Sequence, residues 1–198
     1  MNNVSEQKKQ KKITIYAAIH EDVPKDVKDS IYADHFLPLV KELESFTDHK
    51  VSVVFGAGAP YSNFDYKGED TMATLRKWEL LGSKYLDAYR AEGFDTNDIR
   101  LVVLVTRDRL TRNIEGAALV WPPYSAGRFA IASVNGYQVI GHEIGHLLGA
   151  RHEDSEINYN GWWSESYMTP QRLELRSNSY TFSEANRKNI NNYLATKS

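Results

Sequence analysis

The chain reads as one α/β (α+β) domain, and three features of its 198 residues predict this. Strand-like and helix-like hydrophobic patterns alternate from residue 13 onward. Leu101-Val102-Val103-Leu104-Val105 is an unbroken apolar run, as expected for a strand covered on both faces. No repeat, low-complexity linker or second core divides residues 13–198.

Taken in order, residues 1–12 are polar and carry Lys8, Lys9, Lys11 and Lys12; a disordered basic tail is expected, with binding to an acidic surface as the alternative. Residues 13–19 alternate β-branched and aromatic side chains and predict a strand. Over residues 24–46, Val27, Ile31, Phe36, Leu39, Val40 and Leu43 recur at helical spacing. Pro24 suits the first turn, and Pro38 is expected to kink or divide the helix. A second strand covers 50–55. A second helix covers about 69–92, with Met72, Leu75, Trp78, Leu81, Tyr85 and Tyr89 facing inward and Gly93 as its stop.

Three strands follow at about 100–106, 117–121 and 129–134, and Asn135 is suited to cap the next helix. Beyond Gly149 little regular structure is expected until Ser183, which can cap a helix over 184–194 that packs Ile190, Tyr193 and Leu194.

Composition narrows the function. With 24 basic and 26 acidic residues no basic face dominates, which argues against nucleic-acid binding. The absence of cysteine rules out disulfides and thiolate metal ligands. No apolar run approaches a membrane span, and no continuous apolar signal region is visible. A secreted protein, processed or leaderless, is the expectation, with a cytoplasmic one as the alternative.

The chemistry concentrates in residues 142–152. His142 and His146, four apart on a helix, put both imidazoles on one face, within reach of one ion. Glu143 lies beside that face, where it can hold a water without becoming a ligand. Gly149 can take the left-handed conformation that ends a helix, so the chain reverses and presents His152 from a new direction. Three imidazoles leave a fourth zinc position open, which separates catalytic from structural sites. Ile140, Ile144 and Leu147 form the apolar stripe that anchors the helix.

These residues match H-E-x-x-H-x-x-G-x-x-H, and Ser166-Tyr167-Met168-Thr169-Pro170 follows 16 residues after His152 at Met168. The chain thus resembles the metzincin clan of zinc endopeptidases, nearest to a bacterial reprolysin or adamalysin-like metalloprotease and more weakly to toxin A subunits. The resemblance implies a twisted, mixed five-stranded sheet with backing helices and a zinc helix in an upper subdomain, residues 13–149. It also implies a small irregular lower subdomain, residues 150–198, ending in a helix. One Zn2+ would be held by His142, His146 and His152, with Glu143 as general base, Gly149 at the turn and Met168 beneath the metal.

For substrate, the resemblance implies a protein or peptide laid along an edge strand at Gly116, Ala117 and Ala118, with Tyr167 near the cleft. Residues 121–124, Trp-Pro-Pro-Tyr, would be a rigid rim, and 169–182 the specificity loop. Three departures stand out: Pro170 occupies the position of a metal-approaching tyrosine found in astacins, Glu153 replaces the aspartate usual in reprolysins, and the cysteines usual in animal adamalysins are absent. Glu153 is expected to bond locally beneath the site, and Glu165 is left outside the metal shell. A monomer is expected, with a toxin or inhibitor partner docked non-covalently as an option. The alternative function is a zinc-containing peptide-binding module or the protease subunit of a multi-component toxin.

Overall fold

The structure, a computed structural model, describes residues 11–91, 99–171, 173 and 175–197. The tail expected over 1–12 lies outside these except for its last two residues. Lys12 already belongs to the first strand, β1 (Lys12–Ile19). Gly93, the expected helix stop, is also outside them.

A five-stranded mixed sheet runs in the order β2-β1-β3-β5-β4. Its members beyond β1 are β2 (Lys50–Gly56), β3 (Ile99–Thr106), β4 (Gly116–Trp121) and β5 (Ala126–Ser133). β2, β1, β3 and β5 are mutually parallel, and β4 closes one side antiparallel to β5. The predicted α/β class and five-stranded sheet are present.

Alternation in the central strands splits the core into two layers. Ile13, Ile15, Ala17, Leu101, Val103 and Val105 face one way. Tyr16, Ala18, Val102 and Leu104 face the other. The apolar run of β3 is therefore covered on both sides, as its composition demands.

The first helical segment is divided at Pro38, as expected, into α1 (Lys25–Ile31) and α2 (Leu37–Phe46), joined by a π-helical turn over Tyr32–Phe36. Proline has no N–H, and its ring clashes with the carbonyl four residues earlier. The turn before it widens, with the Leu37 N–H bonded to the Tyr32 carbonyl five residues back.

On the other face lies α3 (Thr71–Ala91), burying Leu75, Trp78, Tyr85 and Leu86. Met72 does not join that stripe; it is 54% exposed. The helix begins at Thr71, and the buried residues of its inward face start only at Thr74 and Leu75.

α4 (Val139–Leu147) packs on the first core layer through Ile140, Ile144 and Leu147. Asn135 does not cap it. A turn over 134–138 intervenes, Gln138 holds the cap position and no side chain bonds there.

After α4, a small sheet forms where little regular structure was expected: β6 (Ile157–Tyr159), β7 (Trp163–Glu165) and β8 (Ser177–Asn178). β6 is exposed along its whole length, so no alternation marks it in the sequence. α5 (Glu184–Ala195) follows, with the Ser183 hydroxyl accepting the Asn186 N–H at 3.1 Å as predicted.

One ion pair joins this C-terminal region to the upper layers. Glu42 on α2 is buried; it accepts both Arg187 Nε and Nη2 at 3.1 Å and the Phe182 N–H at 2.8 Å. Across 145 positions of sequence, α5 is fastened to α2.

Candidate metal centre

His142 and His146 project from one face of α4, one turn apart. The helix ends as the motif requires: Gly149 has φ +93°, its N–H bonds the His146 carbonyl at 3.0 Å, and the Ala150 N–H reaches back to the Gly145 carbonyl at 2.9 Å. This paired closure is the Schellman arrangement that a left-handed glycine permits. The chain then turns into a short 3-10 segment, His152–Asp154, which brings the third imidazole round.

The three Nε2 atoms form a triangle with sides of 2.9, 3.0 and 3.2 Å. Among the described residues this is the group of ligating side chains that could hold a metal ion. Nitrogens around a tetrahedral zinc lie about 3.3 Å apart.

Outer hydrogen bonds fix the tautomers. His142 Nδ1 lies 2.7 Å from the Tyr167 carbonyl, and His146 Nδ1 lies 3.2 Å from the Ala150 carbonyl. A carbonyl can only accept, so both Nδ1 atoms carry the hydrogen and both Nε2 atoms present lone pairs. Two lone pairs facing each other at 3.2 Å repel unless a cation sits between them, so the donor set fits Zn2+. Burial, reinforced by the neighbouring His152, lowers the pKa of His146 to about 4, keeping it the neutral ligand a metal needs.

The position of the third imidazole depends on α5, which the motif does not reveal. Asn186, fully buried, accepts the Arg151 N–H at 2.7 Å and donates to the Arg151 carbonyl at 3.0 Å, clamping the backbone immediately before His152. Behind His152, the Asp154 carboxylate accepts from Asn189 at 2.7 Å, and its carbonyl accepts from the Ser183 hydroxyl. Asp154 thus makes the local contacts expected of Glu153, which is exposed because the 3-10 turn carries its side chain outward.

Met168 is completely buried under α4; a Cβ added to Gly145 would meet its Sδ at 2.7 Å, so the methionine presses on the helix between the two histidines. The Tyr167 side chain does not enter the cleft. It is buried, packs on Phe182, and lies so near Gly141 that a Cβ there would meet its ring at 2.2 Å. Its contribution to the metal centre is its carbonyl. Glu165 is also buried and is occupied by Arg176 at 3.2 Å and the Leu173 N–H at 3.1 Å.

Glu143 is buried at the floor of a cleft of about 520 Å³ shared with His142 and His152. Glu115, Gly116, Val139, Thr169, Pro170 and Leu173 also line it. Of the three small residues expected there, only Gly116 lines it. Ala117 turns toward α3 and Ala118 into the core beside α4, following strand alternation. Residues 121–124 form no rim to this cleft but line a separate cavity at the other end of β4. Five residues of strand, roughly 17 Å, separate Trp121 from Gly116.

No family model and no curated protein matches the chain. Among solved structures, it is similar to an archaemetzincin from Methanopyrus kandleri, with a TM-score of 0.53 and 13% identity over 95% of this chain and 98% of that one. It is also similar to a chain described as a chaperone-substrate complex, with a TM-score of 0.57, 11% identity and 95% of this chain covered. The chain spans only 35% of that second protein. The fold is thus similar to that of archaemetzincin, and the chain carries a three-histidine group that could hold a metal ion.

Proposed function

We propose that the protein is a zinc-dependent endopeptidase that hydrolyses peptide bonds of protein substrates. The observation that carries the proposal is the placement of the Glu143 carboxylate in the cleft beside three converging imidazoles. Its expected metzincin character, and the reprolysin branch within it, rest on the motif and on element order.

His142, His146 and His152 would hold the ion, which supplies Lewis acidity and lowers the pKa of water. Glu143 accepts the proton that water gives up as it attacks the peptide carbonyl, then passes it to the departing amine. The carbonyls of Tyr167 and Ala150 hold two of the imidazole rings at fixed angle. β4, outermost in the sheet, offers its edge to an extended peptide, whose backbone can pair with it.

Purified protein loaded with zinc is expected to cleave an unfolded polypeptide, lose that activity in a chelator, and regain it when zinc is restored. A folded protein carrying one zinc that cleaves no unfolded substrate sinks the proposal.

Gly116 supplies a second check. A Cβ at this position would lie 2.6 Å from Glu143 Oε1 and 2.7 Å from its Cγ. The contact includes Cγ, in the middle of a buried side chain, so Glu143 must take another rotamer to admit the methyl group. Gly116→Ala is expected to keep zinc, melt somewhat lower and lower turnover about 100-fold, the scale of an ångström-sized misplacement. Unchanged kcat in this variant would show that the close Gly116–Glu143 packing has no part in catalysis.

A further inference from the structure

We propose that the cavity at the far end of β4 is a second substrate subsite, which takes an acidic residue of the polypeptide about five residues N-terminal to the cut. This rests on the peptidase reading above. The cavity, of about 500 Å³, lies between α3 and α5 at the end of the β4–β5 hairpin. Trp121, Tyr124, Arg128, Tyr193 and Lys197 are among its walls.

Position comes first. β4 is the outermost strand, with Gly116 against Glu143 at one end and Trp121 in the cavity wall at the other. A peptide added along this edge spans about 3.3 Å per residue, so a chain being cut beside Glu143 reaches the cavity roughly five residues away. Antiparallel addition, the more stable pairing per residue, places the N-terminal side of the substrate there.

Charge comes second. Among the described residues the wall holds one carboxylate, Glu79, which is paired with Arg76 at 3.2 Å. The Arg76 guanidinium also lies over the Trp121 ring, 4.2 Å from its centroid. Arg128 and Lys197 are exposed, and neither pairs with a carboxylate among the described residues. Lys197 is held over the Tyr193 ring, 5.2 Å from its centroid. Two uncompensated cations set among aromatic faces suit a carboxylate carried on an extended chain. Trp121 and Tyr124 remain 46% and 40% exposed, leaving apolar surface for the stem of such a residue.

The test uses the zinc-loaded protein and an R128E/K197E variant. Both digest a peptide library derived from a whole proteome, and the products are sequenced. In parallel, dye-labelled peptides bearing two glutamates or two lysines upstream are titrated against zinc-loaded Glu143→Gln protein by fluorescence anisotropy, with and without the paired substitutions. Expected are enrichment of Asp and Glu four to six residues before the cut and about fivefold tighter binding of the glutamate peptides. Both effects are expected to vanish in the charge-reversed protein, and the binding preference to fade as salt rises. Equal binding of the two peptide sets, or enrichment on the C-terminal side of the cut, overturns the subsite. Charge-dependent binding with no cleavage by the wild type supports the subsite and overturns the peptidase reading instead.

Discussion

Glu143→Gln is expected to abolish most peptide hydrolysis, by about 10²–10⁴-fold, while the protein binds zinc as before. The substitution keeps the shape of the side chain, removes its charge and its ability to take a proton, and replaces one acceptor oxygen by a donating NH2. The three imidazoles are untouched: their orientation comes from the Tyr167 and Ala150 carbonyls and from the Arg151–Asn186 clamp. Metal content by elemental analysis should therefore match the wild type, and melting should hold steady or rise, since a buried carboxylate carries a desolvation cost. KM should move little, because Glu143 acts on the water and not on substrate recognition. Hydrolysis within a factor of a few of wild type, at full zinc occupancy, would falsify the base assignment.

Arg187→Ala is expected to be strongly destabilising, at about 3–5 kcal/mol. Glu42 would keep its buried position with the Phe182 N–H but lose the guanidinium that neutralises it. Because Arg187 is 27% exposed, entering water can restore part of the loss, which favours the lower end of that range. Pairing the change with Glu42→Leu should recover some stability by removing the stranded charge, though the Phe182 N–H then lacks its acceptor at a cost of about 1–3 kcal/mol. Urea unfolding of the two variants measures this directly. A loss below about 1 kcal/mol for Arg187→Ala would mean that the pair is no more than a surface ornament. Zinc affinity should fall in step with stability, since α5 also carries Asn186.

What could be read from the chain alone follows from how far each pattern reaches in sequence. His142, Glu143, His146 and Gly149 lie within a single helix and the turn that ends it, so spacing alone brings them together, whereas His152 follows in the 3-10 segment and is held through α5. The alternation in residues 13–19 and the unbroken run of 101–105 predict strands because burial on one or both faces leaves its mark on composition. Asn186 is different: an asparagine in a polar helix looks like a surface residue, and only the tertiary fold brings it to Arg151. Met72 obeys helical periodicity but lies in the first turn of α3, before its first buried residues, so periodicity continues past the point where packing stops. Asn135 was a chemically sound cap displaced by a five-residue turn, and helix boundaries are where such local signals fail first. Trp121 to Tyr124 could be placed at the end of β4, but not at which end of the cleft, since that depends on how α4 lies across the strand.

The fastening of α5 to α2 sets an order of events during synthesis. All three histidines leave the ribosome before Asn186 and Arg187, so a growing chain holds the ligands some 35 residues before the clamp that fixes His152 can close. At about 5–20 residues per second, that interval lasts seconds. On the peptidase reading proposed above, the three imidazoles would reach the geometry that hydrolysis needs only once α5 has been made and has docked.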